Sequence, residues 1–258
     1  MNIEKMHEVF RTLGQQKGMQ LVRAILPEEI DVWINDAITE KTRAEILKSI
    51  NYSVQFAGNA NVSKMTNINL FKSLYRNARF KLSEESNDGL VTYYNSDNGY
   101  YEITVPTIGA ADVVKSSLQS EEYCINPMLY LSFALEYDDK SRGSSTNCRI
   151  IPEDEVENTM NDYCNRASKD YPIVTLLGTP EVENLLEKDA NVYNEQLRIY
   201  TNKPNCSVKY LNIKYIKKPN IVNYNKKIDC DLSDYIHNEI VEIAVQKFLR
   251  SVGINQDS

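Results

Sequence analysis

Asp229, Asp231 and Asp234 form the carboxylate run whose spacing is closest to a working site, and two roles fit it. Brought together, such groups hold a divalent cation and would make a small metal-dependent hydrolase. Placed just ahead of a helix, they cap free amides and meet the positive end of the dipole. The helical spacing that begins at Leu232 favours capping. Glu84-Glu85 and Glu153-Asp154-Glu155 read as a loop and a helix start, because nothing apolar beside them would raise a carboxyl pKa for acid/base work. His7 and His237 are the chain's two histidines, so Ser-His-Asp or Cys-His catalysis would need one of them as base. Both fall on amphipathic helical patterns, which predicts helix-surface or interfacial positions. The five cysteines, Cys124, Cys148, Cys164, Cys206 and Cys230, are odd in number and far apart, without a C-x-x-C pair. They read as small buried thiols in a reducing compartment and not as a zinc site. The phosphate loop, dinucleotide fingerprint, nucleophile elbow and H-E-x-x-H motif are all missing. The expectation is a protein without a catalytic, cofactor or metal site.

A second set of residues suggests binding. Between Lys203 and Lys227, Lys209, Tyr210, Lys214, Tyr215, Lys217 and Lys218 interleave basic and aromatic side chains, as a single-strand nucleic-acid binder would. Lysines on an exposed strand also discourage edge-to-edge aggregation. The net charge of −7 and pI near 5.1 oppose wrapping the outer surface in polyphosphate. Tyrosine, at 17 against 1 Trp and 6 Phe, is the main compositional excess. Its apolar face and polar tip suit interfaces that stay partly wet, although an AT-rich genome also supplies Tyr, Asn, Lys and Ile. No run of about 18 apolar residues and no signal-peptide pattern occurs, so no membrane partner is expected.

The elements that must position these residues are legible as patterns. Ile3, Met6, Val9, Phe10 and Leu13 repeat at helical spacing and end at Gly14, a candidate C-terminal cap. Leu26-Pro27-Glu28-Glu29 opens a second helix with Ile30, Trp33, Ile34, Ala37, Ile38, Ile46, Leu47 and Ile50 on one face and Asp31, Asn35, Glu40 and Arg43 on a wet one. These two helices read as a hairpin. A third helix is expected over residues 66–80. The period then becomes two. Leu90–Tyr94 and Tyr100–Val105 flank a turn at Asn95–Gly99, and Leu129, Leu131, Phe133, Leu135 and Tyr137 alternate ahead of a polar loop that returns through Cys148, Ile150 and Ile151. Short helices are expected from Pro152, carrying Val156, Met160 and Tyr163, and from Thr179-Pro180, carrying Leu185 and Leu186. Ile173–Leu177 reads as a buried strand. Residues 197–200 and 207–216 read as a third hairpin.

A last helix carries Leu232, Ile236, Ile240, Ile243, Ala244 and Val252 on one side and Val241, Val245 and Phe248 beside them, with Asp231 or Ser233 to cap its start and Gly253 its end. So broad an apolar face needs more than one neighbour. The fold class is therefore α+β, with the terminal helices in one bundle (residues 1–80 and 231–258) around a β-rich insertion of residues 81–230.

The run from Leu26 to Ile38, together with Lys214-Tyr215-Ile216-Lys217-Lys218-Pro219 and Asp229 to Val245, resembles the two ends of ring, or head-to-tail connector, proteins of crAss-like tailed bacteriophages. Ser233 stands where those proteins often carry proline. The resemblance covers the ends of the chain and leaves the middle unmatched. It implies a virion structural protein, made in the bacterial cytoplasm, that forms a cyclic homo-oligomer, twelvefold to match a portal. Such a ring joins portal to neighbouring tail ring proteins around the channel through which genomic DNA passes. Under this reading the candidate oligomer interface comprises Trp33, Tyr235, Ile236, Ile240, Val241, Val245 and Phe248, and the acidic total suits a channel wall that releases DNA.

Overall fold

Helices hold both ends of the chain and strands lie between them, a mixed α+β arrangement with four α-helices among the described residues. The computed structural model describes residues 1–17, 25–55, 72–83, 90–95, 99–108, 125–137, 145–177, 192–201 and 208–253. The helix expected from Thr179, the tip of the loop after Tyr137, and Cys124 and Cys206 lie outside them. The chain divides into two compact units, Met1–Tyr75 with Lys218–Ser258, and Arg76–Lys217. Residues 218–230 thus cluster with the helices and residues 76–80 with the strands, each opposite to the expected boundary.

In the helical unit, α1 (Ile3–Gln16) and α2 (Pro27–Gln55) meet over a short stretch at His7 and Asp31, and each packs more extensively along α4 (His237–Ser251). The expected hairpin is replaced by two helices sharing a third. Phe248 explains the sharing: its ring lies 6.0 Å from that of Phe10 on α1 and 6.1 Å from that of Trp33 on α2. Asn2 caps α1 by accepting from the Lys5 amide, and Gly14 lies buried inside the helix, which runs on to its cap at Lys17. A 3-10 turn, Asp234–Ile236, leads into α4, and Ser233 makes no capping bond there. Gly253 closes α4 as expected, with φ +79° and its amide on the Arg250 carbonyl.

Among its described residues the other unit holds nine strands: β1 (Tyr75–Ser83), β2 (Leu90–Asn95), β3 (Tyr100–Ile108), β4 (Pro127–Tyr137), β5 (Thr146–Asn147), β6 (Arg149–Ile150), β7 (Ile173–Leu177), β8 (Val192–Tyr200) and β9 (Val208–Lys217). Their order is β5-β4-β9-β1-β2-β3-β8-β7-β6. β4 runs antiparallel to β5 and β9, and β2, β3, β8 and β7 form an antiparallel run; β1 meets β2 in a short parallel step, Leu82 beside Leu90 and Ser83 beside Val91, and β6 pairs with β7 in parallel too. Although β5 and β6 lie at opposite ends of this order, Cys148 alone separates them in the chain. Its amide bonds to the Phe133 carbonyl of β4, and the Arg149 amide to the Pro172 carbonyl just before β7. The two sheet edges therefore meet, and the strands curl around one core that includes Phe80, Ile103, Phe133, Leu135, Leu197, Leu211 and Ile213. On the outer face, α3 (Glu153–Asn161) sets Val156 against Tyr100, Ile173 and Tyr200.

Three expectations change here. The helix over 66–80 is overturned where it is described: from Tyr75 the chain is strand, with Ala78, Phe80 and Leu82 turned to the core and Arg79 and Lys81 alternating with them. Leu74, Tyr75 and Ala78 mimic helical spacing because a turn at residues 72–74 resets the phase. The third hairpin also fails, since β8 pairs with β3 and β7 while β9 pairs with β4. On β4 the alternation is interrupted by register shifts, so Tyr130 packs beside Phe133 and Leu131 is exposed.

The β2–β3 hairpin holds, with Asn95 beside Tyr100. Its Gly99 has φ +70° and nothing within 4 Å of an added Cβ. Gly99→Ala should therefore cost only the left-handed backbone penalty, about 1 kcal/mol, read as a lower urea midpoint. A loss beyond about 2 kcal/mol would show that something packs on Gly99 after all.

Candidate functional site

Polar residues of α2 expected to face water instead grip a backbone strap. Glu28, Asp31 and Asn35 recur at helical spacing and form a rail on one side of α2. The Asn35 amide donates to the Val222 carbonyl at 3.0 Å and accepts from the Val222 amide at 2.8 Å, copying the pairing of a neighbouring strand. Asp31 Oδ2 accepts from the Tyr224 amide at 2.9 Å, and Glu28 accepts from the Asn225 side chain at 2.7 Å. Between them the strap turns back on itself through the Asn223–Ile228 bridge, with Lys227 at φ +53°. Asp229 and Asp231 are spent on the same construction. Asp229 Oδ1 accepts from the Ile3 amide at the start of α1, at 2.7 Å, and Asp231 Oδ1 from the Asn220 amide at 3.1 Å.

Asp234 is exposed and pairs with the Met1 amino group. Among the described residues, no three His, Cys, Asp or Glu side chains are grouped to hold a metal ion. The expected capping role is thus real but aimed elsewhere: Asp229 caps α1, not α4.

Neither histidine lies on a surface. His7 is 2% exposed; its Nε2–H donates to Asp31 Oδ1 at 2.8 Å, and the Tyr224 ring lies over it at 4.6 Å. Burial pulls its pKa below the ordinary 6.5 despite the neighbouring Asp31 carboxylate. This is the geometry of a base and its orienting acid, but the other ring nitrogen, Nδ1, is buried without a hydrogen-bond partner. No hydroxyl or thiol among the described residues is set to give it a proton. His237 donates from Nε2 to the Leu232 carbonyl at 2.9 Å, and burial lowers its pKa too. Two thiols are the reverse of activated: burial pushes Cys148 up to about 12 and Cys230 up to about 11, while Cys164 is exposed, which corrects the expectation of a buried thiol there.

The candidate interface residues divide sharply. Ile236, Ile240, Val241, Val245 and Phe248 are buried within the helical unit, and Trp33 is half-buried against Phe248. These six fill their own chain's core, which corrects their assignment to a neighbouring copy. Tyr235 alone stays open, at 64% exposure.

The lysine and tyrosine strip is dispersed as well. Tyr215 points into the β-unit core and Lys218 belongs to the helical unit. Tyr210 carries the Arg79 guanidinium 3.9 Å above its ring. Arg79 and Asn212 both bond to Glu136 there, at 2.5 and 2.7 Å, and the Asn212 bond, with Arg79, holds the Glu136 carboxyl below its ordinary range. Lys209 and Lys214 are exposed and Lys217 ends the strand, without a free aromatic face between them for a base to stack on.

Two exposed tyrosines lie outside the candidate interface. Tyr163, expected on α3, follows its end at 79% exposure, and Tyr171 is 68% exposed on the same loop. Arg149 holds that loop by donating to the Asn165 carbonyl, and Asp162 Oδ1 accepts from the Cys164 amide. Ile150 on β6 and Leu176 on β7, the adjoining strands, are exposed too. Among the described residues no helix is long and apolar enough to cross a membrane. No protein-family model matches the chain, nor does any curated protein match it significantly.

Proposed function

We propose that this chain works by contact and not by catalysis, as a ring subunit of the head-to-tail connector of a crAss-like tailed bacteriophage. One observation carries the reading. Among the described residues, His7, His237, Asp31, Asp229 and Asp231 are consumed in holding the fold, while large side chains stay open on both units: Tyr235, Val32 and Leu26 on the helical one, Tyr163, Tyr171 and Ile150 on the β-rich one. Two of the three resembling segments, residues 26–38 and 229–245, fall in the helical unit and support it, whereas the third, Lys214–Pro219, runs from the end of β9 in the other unit to Lys218-Pro219 in the helical one. Copies would close head to tail around the DNA channel, between portal and tail rings, with the excess of acids keeping the wall from binding DNA. In such a ring Tyr235 is the anchor that meets a neighbour, and the β-unit tyrosines meet the tail.

Electron microscopy and light scattering on the purified chain, alone and mixed with its portal, test this directly. Closed rings, twelvefold with the portal, are expected. A chain that stays monomeric at high concentration and ignores the portal overturns the reading. Tyr235→Ala should weaken assembly about 30-fold, the effect of losing a tyrosine hot spot, and leave the urea midpoint unchanged. Equal assembly by wild type and variant would remove Tyr235 from the interface.

A further inference from the structure

We propose that the strap over α2 is an acid-released latch: protonation of His7 frees the turn Tyr224–Lys227 while α1, α2 and α4 stay packed.

The inference does not depend on the connector reading and starts from where a second proton on His7 would go. Nε2–H already serves Asp31, so the added proton must sit on Nδ1, which is buried and faces no acceptor. An imidazolium there needs water. The lid that excludes water is the Tyr224 ring, and the strap carrying it is held at that residue by the other oxygen of the same Asp31. Moving the turn outward therefore hydrates Nδ1 without disturbing the helix core. The turn also carries a residue that resists its conformation, since Lys227 sits at φ +53° and relaxes when released. Its outer ties lie in water: Lys227 pairs with Glu4 at 3.7 Å between two well-exposed side chains, and Asn225 donates to Glu28 at 2.7 Å at an exposed position.

The groups facing His7 set the sign. Asp31 from α2 favours its charged form, whereas burial and Arg11 from α1 oppose it, and burial is the largest effect. The strap presents an uncharged ring, and the buried stretch of α4 from Ile240 to Leu249 holds no titratable side chain turned inward. His7 in the latched state thus titrates below 6.5, and opening removes the burial that lowers it. The latch is complete above about pH 6.5 and weakens as pH falls through it, up to tenfold per pH unit until the latched pKa is reached.

Amide hydrogen exchange followed by NMR on the full chain, corrected for intrinsic rates, tests this. Protection of the Tyr224 amide should fall about tenfold per pH unit below about 6.5 and stay below that of Val245 in α4. His7→Gln, which keeps a donor for Asp31 but cannot be protonated, should remove that slope. A flat profile in the wild type, an unchanged slope in the variant, or loss of Tyr224 protection only together with Val245 overturns the latch. Should the variant not fold, the imidazole of the wild type decides: titration below 6.5 together with opening supports the latch, and titration at or above 6.5 refutes it.

Discussion

Val241→Glu should abolish folding of the helical unit, and so should remove assembly only as a by-product. Val241 is fully buried on α4, the helix that both α1 and α2 pack along. A carboxylate forced into that place has no cation or amide to meet. Desolvation alone costs several kcal/mol, and the lost valine packing adds to it, against a total stability of about 5–15 kcal/mol for ordinary domains. Circular dichroism and urea titration should show lost helix signal or a collapsed midpoint. Tyr235→Glu makes the informative contrast, because its ring already stands in water and the change should move stability by no more than about 0.5 kcal/mol. Wild-type stability in Val241→Glu, with assembly lost, would mean that Val241 faces a neighbour and that the packing described for α4 is wrong.

That contrast also marks what apolar spacing can and cannot say. Ile240, Val241, Val245 and Phe248 were readable as a broad greasy face needing two neighbours, and it has two, α1 and α2. Nothing in the spacing distinguishes neighbours in the same chain from those in another copy. Strands show the same limit. Alternation at Leu211, Ile213 and Tyr215 correctly places their side chains on one face, in the core. It is silent on hydrogen-bond partners, and β9 lies beside β4, from far back in the chain, instead of beside β8. The hairpin of β2 and β3 was legible because its turn chemistry, Gly99 above all, declares the partner locally. For β1 the phase reset before Tyr75 hid a period of two behind a helical one.

The polar rail on α2 was misread for a related reason. Asp31, Asn35 and Glu28 look like any solvated helix face until the backbone that they hold is known, and that backbone lies far along the chain, at residues 222–225. A signal was present in the short polar side chains. Asp and Asn are mediocre inside helices, since they compete for backbone groups, and two of them four apart on a well-formed helix suggest that they have other backbone to bind. His7 followed the same course: its helical position was legible, and its burial came from the strap.

Asp31→Ala should be the most damaging polar substitution in the helical unit. One side chain, 6% exposed, accepts from His7 through Oδ1 and from the Tyr224 amide through Oδ2. Alanine would leave an imidazole N–H and a backbone N–H buried without acceptors, and each costs about 1–3 kcal/mol, so the loss should reach about 3–5 kcal/mol. Asp31→Asn keeps one acceptor oxygen and should lose about half as much. His7→Ala in the same background separates the two bonds. If His7 and Asp31 stabilise each other, the double variant should be less destabilised than the sum of the singles by about 1.5–3 kcal/mol, the worth of a hydrogen bond to a charged group. Asn35→Ala, acting on Val222 and not on His7, should add to His7→Ala within about 0.5 kcal/mol. A coupling near zero between His7 and Asp31 would mean that the carboxylate serves the strap alone, and the route from imidazole to strap would be gone.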